Sequence, residues 1–405
     1  VKIAGGGLSS SQGKAGGKGS DKLVASVRKG WVKMTNRYYQ KIPLYDMQWD
    51  GLDISQCHVA IAPFGGLIAV APDEAKRESK DLTTPQSVAL RNKVRIYTAA
   101  GKFVSEFRWP YKGLVGMGWT DDERLVVVIA DGKELVFVYS MHGDCDNSFS
   151  IADCKHVADC EIWPNGLVVR AGGGCDFYAV QGWDSPRITR LRTPHVAYKP
   201  AAMVCIPPLL SPTRNLQVLL ANPKGPIDVL THEGCQEVMG TMRDERNFTE
   251  PVVKMALSPS GRYLATVNGT GTLTVLEADF SSTISEFITR HSRPPLDVAW
   301  CGEDSVLLYW EQILIMVGPF GAYVAFKYPG ALPGALRLQT EIDGCRVVTK
   351  MKTELLRRVP EANESIFKPG SKQPPALVMA ASRAYERSDI LADLCIRQLR
   401  QGGSG

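Results

Sequence analysis

The sequence predicts an all-β fold, a seven-bladed β-propeller followed by a C-terminal α-helix, and three observations carry that reading. The stretch from Pro251 to Pro319 writes one unit twice, with the landmark residues Leu257 and Trp300 lying 43 positions apart. Each copy is a series of short apolar runs divided by Gly, Asn, Asp and Pro turns, the pattern of antiparallel hairpins. The landmark recurs along the chain as Trp49, Trp119, Ile162, about Ile206, Leu257, Trp300 and a last one near Ile342, at steps of 70, 43, 44, 51, 43 and 42. A repeat of this length matches one four-stranded blade. One blade alone cannot bury both faces, so the units stack around a ring. Six or eight units stay open, because the fourth is weak.

Taken in order, the chain begins with a low-complexity run from Val1 to Ser20, expected to be flexible. Its Gly13-Lys-Ala-Gly-Gly-Lys18 imitates a phosphate loop but lacks the Gly-Lys-Ser/Thr ending and a preceding strand. Residues 1–37 therefore read as a flexible basic tail, with Trp31 to Tyr39 lying against the body before the first strand. The propeller is assigned to residues 38–360. Tyr45-Asp-Met-Gln-Trp49 opens the repeat. Asp73 to Arg91 is charged and reads as a surface loop inserted in the first blade, which accounts for the long first step. Leu125 to Ile129, Asp131-Gly132 and Leu135 to Tyr139 make the clearest hairpin of the first half. Leu167-Val-Val-Arg170, Gly172-Gly-Gly174 and Asp176 to Val180 repeat it, and the glycine triplet reads as a turn because a strand follows it.

Composition bounds the partners and the compartment. A chain of 405 residues buries a large core, and 44% hydrophobic with 22% charged residues describes an ordinary soluble globular protein. No apolar stretch is long enough for a transmembrane helix, and no secretory leader is visible. A chain opening on Val1 rather than Met reads as a fragment or an engineered chain. The net charge of +5 belongs to the tail: residues 1 to 41 hold nine Lys or Arg against one Asp, which leaves the remainder mildly acidic. That tail is expected to be solvated, and no basic patch interleaved with aromatics points to nucleic acid. Ten cysteines sit singly, with no CxxC pair, as in a reducing cytosolic protein.

Catalytic and metal chemistry is not expected. Asp121-Asp-Glu123 and Glu303-Asp304 occupy equivalent turns, where Asp supports the backbone locally. His142, Cys145, Cys154, His156 and Cys160 do not have the spacing of a compact zinc knuckle, and strand alternation would scatter them. No nucleophile-elbow motif joins Ser, His and Asp. No cofactor is implied.

After Val359-Pro360 the period changes. Pro374-Pro375 can begin a helix, and Leu377, Ala381, Ala384, Ser388, Leu391 and Cys395 follow at steps of three and four. Residues 361–400 therefore read as a linker and one amphipathic helix, and 401–405 as a flexible end. The helix either closes on the propeller or begins an α-solenoid truncated in this chain. Leu377, Ala381, Ala384, Leu391 and Cys395 are its candidate partner-facing residues.

Glu341-Ile-Asp-Gly-Cys-Arg-Val-Val348, Leu355-Leu-Arg-Arg-Val-Pro360, Glu364-Ser-Ile-Phe367 and Pro375-Ala-Leu-Val, with Tyr385-Glu386 and Ala392-Asp393, resemble the vacuolar protein sorting 16 family. So do Tyr45 to Asp50, the Ala62-Pro-Phe-Gly-Gly66 turn, Val94-Arg-Ile-Tyr97, Gly118-Trp119, Tyr139 with His142-Gly-Asp144, and Val298-Ala-Trp-Cys301. The similarity covers roughly residues 38 to 399, and the first 30 residues have no counterpart in it. It implies a core subunit of the HOPS and CORVET tethering complexes, cytoplasmic and peripheral on late endosome and lysosome or vacuole membranes. The partners implied are the other class C vacuolar sorting subunits and, through a solenoid mostly absent here, the SM-family subunit that chaperones SNAREs. The other readings open to the residues are a propeller adaptor for a peptide or phosphoinositide and, more weakly, a propeller glycosidase.

Overall fold

The computed structural model describes residues 30–49, 52–77, 92–172, 175–193, 198–223, 227–237, 251–291, 293–318, 321–368 and 371–402. The tail and phosphate-loop readings for residues 1–29, and the 78–91 part of the insertion, lie outside the described residues.

Seven antiparallel sheets make a seven-bladed propeller. Two strands come first, β1 (Trp31–Met34) and β2 (Arg37–Asp46). Blade one is β3 (Cys57–Ile61), β4 (Ile68–Pro72), β5 (Lys93–Tyr97) and β6 (Phe103–Arg108), with one turn of helix, α1 (Glu74–Arg77), opening the insertion between β4 and β5. Blade two is β7 (Leu114–Trp119), β8 (Leu125–Ile129), β9 (Val136–Tyr139) and β10 (Cys145–Phe149). Blade three is β11 (Val157–Trp163), β12 (Gly166–Ala171), β13 (Phe177–Gln181) and β14 (Arg187–Leu191). Blade four is β15 (Met203–Ile206), β16 (Gln217–Ala221), β17 (Ile227–Leu230) and β18 (Cys235–Glu237). Blade five is β19 (Val252–Leu257), β20 (Tyr263–Asn268), β21 (Thr272–Glu277) and β22 (Thr283–Ile288). Blade six is β23 (Asp297–Cys301), β24 (Ser305–Tyr309), β25 (Ile313–Val317) and β26 (Tyr323–Lys327). The last blade takes β27 (Leu336–Thr340), β28 (Gly344–Thr349) and β29 (Lys352–Arg358) from the end of the propeller and β2 and β1 from its start, in the order β1-β2-β29-β28-β27.

That closure moves the first landmark. Tyr45 belongs to the outer strand of the closing blade rather than to blade one, and Trp49 lies between the two, its indole N–H donating to Lys350 O at 2.8 Å. The residue equivalent to Trp119 in blade one is Ile61, paired with Ile68 as Trp119 is with Leu125. The last landmark is likewise Thr340, paired with Cys345, while Ile342 sits in the turn at 71% exposure. Trp31 to Tyr39 contributes to two strands of the ring instead of lying against it. The weakness of unit four has a visible cause: its outer strand has three residues, and Pro207 and Pro208 open the long connection from β15 to β16.

Burial follows strand position. Second strands such as β4, β8 and β12 are buried along their whole length, because both of their faces meet a neighbouring blade, and they read as continuous apolar runs. Outer strands meet water: β14 is exposed at four of five positions, and β26 alternates. First strands line the inside of the ring, each touching the next from β3 to β27. On β7 two glycines permit that approach. A Cβ on Gly116 would come within 2.5 Å of Cys160 Sγ, and one on Gly118 within 2.7 Å of Ile162. Indoles tie blades together at the strand ends: Trp119 Nε1 donates to Ala60 O at 3.0 Å, and Trp300 Nε1 to Ala256 O at 2.9 Å.

Val32–Arg358 forms one compact unit, and the chain from Val359 onward belongs to a second. The second contains α2 (Glu361–Phe367), α3 (Pro374–Glu386) and α4 (Leu391–Gly402), with α3 packed on α4 and α2. The single amphipathic helix read from the stripe is thus two helices. The chain turns at Arg387 to Ile390, where Ser388 takes φ +53° and Asp389 N–H donates back to Ala384 O at 2.8 Å. Asp389 Oδ1 then accepts the Leu391 N–H at 3.1 Å and starts the next helix. The stripe keeps its period across the turn, and the turn folds it on itself.

Candidate functional site

The best-fastened place in the ring is the seam between blade seven and blade one. Glu341 directly follows β27 and Arg346 lies on β28, both buried, with Arg346 1% exposed. Arg346 Nε stands 3.0 Å from Glu341 Oε1. The guanidinium also donates to Gly66 O at 3.1 Å and to Ala62 O. Glu341 in turn accepts the backbone N–H of Phe64 at 2.5 Å and of Gly65 at 3.4 Å. The Ala62-Pro-Phe-Gly-Gly66 turn is therefore clamped from both ends by one ion pair. Phe64 is held at φ +59°, a region costly for a bulky residue, and the residue is 71% exposed.

A second network fixes the closing strand β2. Lys41 pairs with Glu354 of β29 at 3.2 Å, Lys352 pairs with the same carboxylate at 2.5 Å, and Tyr328 Oη donates to it at 2.9 Å. Burial alone would raise the Glu354 pKa. The bonds from Lys352 and Tyr328 and the charge of Lys41 outweigh it and hold the carboxyl below its usual range. Tyr39, also on β2, accepts a hydrogen bond from Ser305 Oγ at 2.8 Å in blade six, and burial raises its phenol strongly.

The seam between blades three and four is built differently. Asp159 and Glu161 alternate on β11 with Cys160 and Ile162, which point to β7. Burial first, and the Asp159 charge second, push the Glu161 carboxyl up to about 8. Asp159 Oδ1 accepts the Cys160 N–H of its own strand at 3.0 Å. Tyr198 Oη donates to the buried Asp228 of β17. Arg170, on β12 directly opposite Asp159, is 6% exposed, and among the described residues it has no hydrogen-bond acceptor and no ion-pair partner. Leu167-Val-Val-Arg170 reads as an ordinary strand end, and nothing in the sequence marks its arginine as buried.

The other candidates are placed as follows. Asp122 pairs with Arg124 of its own turn at 2.7 Å, and Glu303 accepts the Ser260 N–H of the blade-five turn at 2.6 Å, so the first acidic turn is braced locally and the second binds a neighbouring turn. His156 Nδ1 meets Asp131 Oδ1 at 2.8 Å, whereas Cys154 and Cys160 point into the apolar cluster of the first three blades. Among the described residues no group of three His, Cys, Asp or Glu is arranged to hold a metal ion. In the helical unit Leu377, Ala381 and Ala384 are buried on α3, Cys395 is wholly buried on α4, and Leu391 is half-buried. The stripe therefore builds the hairpin, and the apolar side chains it leaves in solvent are Val378, Tyr385, Ile390, Leu394 and Ile396. Among the described residues no helix is long and apolar enough to cross a membrane.

Seven sheets closed by an N-terminal strand, followed along the chain by helices, place the protein among the seven-bladed propellers, a fold that by itself does not fix function. The family model described as Vps16, N-terminal region, matches residues 28–402, and the chain belongs to that family. Protein VACUOLELESS1 of Arabidopsis thaliana is 32% identical over 400 residues, covering 93% of this chain and 45% of that protein. The probable vacuolar protein sorting-associated protein 16 homolog of Schizosaccharomyces pombe is 27% identical over 383 residues, with 91% and 43% covered. The chain thus spans less than half the length of these curated relatives. Among solved structures, a virginiamycin B lyase from Staphylococcus aureus matches with TM-score 0.53 at 12% identity, covering 79% of this chain and 100% of that one. BBS1N, solved in complex with ARL6DN, matches with TM-score 0.50 at 11% identity, covering 84% and 98%. These two likenesses show the fold alone.

Proposed function

We propose that this chain is the propeller region of a vacuolar protein sorting subunit, acting as a non-enzymatic scaffold in a HOPS- or CORVET-type tethering complex at the late endosome and the lysosome or vacuole. The observation that carries the reading is the family match across residues 28–402, together with relatives named for vacuolar sorting. The geometry is consistent with it. The acidic side chains Asp122 and Glu303 are engaged in bracing turns, and the polar clusters at the closing seam and strand are engaged in holding the ring shut.

The partners proposed are the other class C subunits, with the SM-family subunit and through it the SNAREs reached by chain beyond this length. The α3–α4 hairpin is the partner-facing element. Its buried stripe of Leu377, Ala381, Ala384, Leu391 and Cys395 sets the geometry, and Val378, Tyr385 and Ile396 are the side chains a partner meets. Size-exclusion chromatography of a version extended to the relatives' length, mixed with the class C subunits, tests the reading. Co-elution of the longer protein is the expected result, and a longer protein that runs alone overturns it. A propeller adaptor would instead require saturable binding of a peptide or phosphoinositide by this chain alone.

A further inference from the structure

We propose that Arg170 is an oxyanion-binding residue set between the third and fourth blades, taking a phosphate or carboxylate group. The inference is independent of the tethering role. Arg170 lies one residue from the end of β12, and it shares a face with Val168 two positions earlier. Val168 packs in the apolar cluster that holds Leu220 and Leu230 of blade four, as do Phe177 and Leu191 in Arg170's own cross-strand row. The side chain is therefore directed at the next blade, into an apolar seam, and its Nε is sealed from solvent without an acceptor.

Of the carboxyl groups in the same seam, Asp159 accepts the Cys160 N–H through one oxygen, Asp228 accepts from Tyr198, and burial raises Glu161 to about 8, which favours its neutral form. Other arginines with a sealed Nε, Arg124, Arg346 and Arg357, each reach a carboxylate through the guanidinium. Arg170 alone among them does not. A guanidinium buried this far, with a sealed Nε that no acceptor meets among the described residues, is costly. An oxyanion bridging its donors removes that cost, and the fork suits phosphate and carboxylate equally.

The test uses this chain, the variants R170M and R170K, and inorganic phosphate or acetate as probes against chloride at equal ionic strength. Two readouts are taken, the Arg170 Nε–Hε resonance by NMR and the thermal unfolding midpoint. The proposal expects a saturable movement of that resonance with an oxyanion and not with chloride. It also expects an oxyanion-dependent rise in midpoint that R170M loses and R170K keeps in weakened form. A response to phosphate alone assigns a phosphate group, and a response to both assigns carboxylates as well. Without added oxyanion, R170M should be at least as stable as the parent chain. If R170M is destabilised and the parent shows no oxyanion response, Arg170 balances Asp159 through space and the proposal fails. Equal stabilisation of the parent and R170M by phosphate overturns it too.

Discussion

Two seams of the same ring handle a buried arginine in opposite ways. Where blade seven meets blade one, Arg346 has a carboxylate at 3.0 Å and two carbonyls, and Glu341 spends its other contacts on the backbone of the facing turn. Where blade three meets blade four, Arg170 is almost as deeply buried and among the described residues has neither. The two ends of the chain are joined inside blade seven, where β2 pairs with β29, and the clamp at the first seam ties that blade's C-terminal strands to blade one, to which no backbone connects them directly. At the second the backbone runs on from blade to blade, so the polar side chains are not needed for closure. Satisfied polar networks mark where this ring is held, and the unpaired Nε of Arg170 marks where the oxyanion is proposed to bind.

The largest effect should come from breaking the closing clamp. Arg346→Met leaves Glu341 buried without its cation, and removing one partner of such a pair costs about 3–5 kcal/mol. Urea unfolding should show that loss, and the double variant E341Q/R346M should recover part of it, because no charge is then left alone. Recovery of nothing would mean that the carbonyl contacts, rather than the ion pair, hold the seam.

The closing strand comes next. Tyr328→Phe removes the hydroxyl that donates to Glu354, and a hydrogen bond to a charged group contributes about 1.5–3 kcal/mol. The folded Glu354 pKa is depressed, so its contribution is present above the unfolded carboxylate value of about 4.3 and is lost as pH falls through the folded value. The gap between parent and variant should therefore be full at neutral pH and narrow in acid.

Glu161 sharpens the comparison from the other side, since its carboxyl is raised to about 8. The folded state then holds a proton that the unfolded chain has released, and stability falls as pH rises from the ordinary Glu value, about 4.3, to about 8. Glu161→Gln should match the parent near the lower end of that window and exceed it at the upper end in unfolding experiments. Parallel curves for the two proteins would remove the burial assigned to Glu161. The smallest effect is expected at Phe64→Gly, which relieves a positive φ at an exposed side chain and should change stability by no more than about 1 kcal/mol in either direction.

Much of the architecture is legible in the residues, and the misreadings are instructive. The second strands announce themselves because burial on both faces leaves an unbroken apolar run, as at Leu125 to Ile129. Seven units follow from landmark spacing, yet two landmarks are misplaced. Trp49 and Ile342 look like strand residues because they are apolar and fall at the right interval, and only the pairing shows that the closing blade borrows β2 from the start of the chain. Strand exchange of that kind leaves no local signal. The helical stripe is likewise real, but Ser388 of the turn falls on one of its own steps, so the periodicity passes through the turn unbroken. Glu341 and Arg346 stand within a family-like segment without showing that they reach residues 62 to 66. Arg170 is invisible for the same reason: burial of a charged strand residue depends on the neighbouring blade, which its own strand does not describe.

The most direct test of the contrast between the seams is urea unfolding of the parent chain, R346M and R170M side by side in chloride buffer free of phosphate and carboxylates. The account predicts a clearly lower midpoint for R346M and a midpoint for R170M equal to or above that of the parent. Equal losses in both variants would contradict it, because the two arginines would then be holding the ring in the same way.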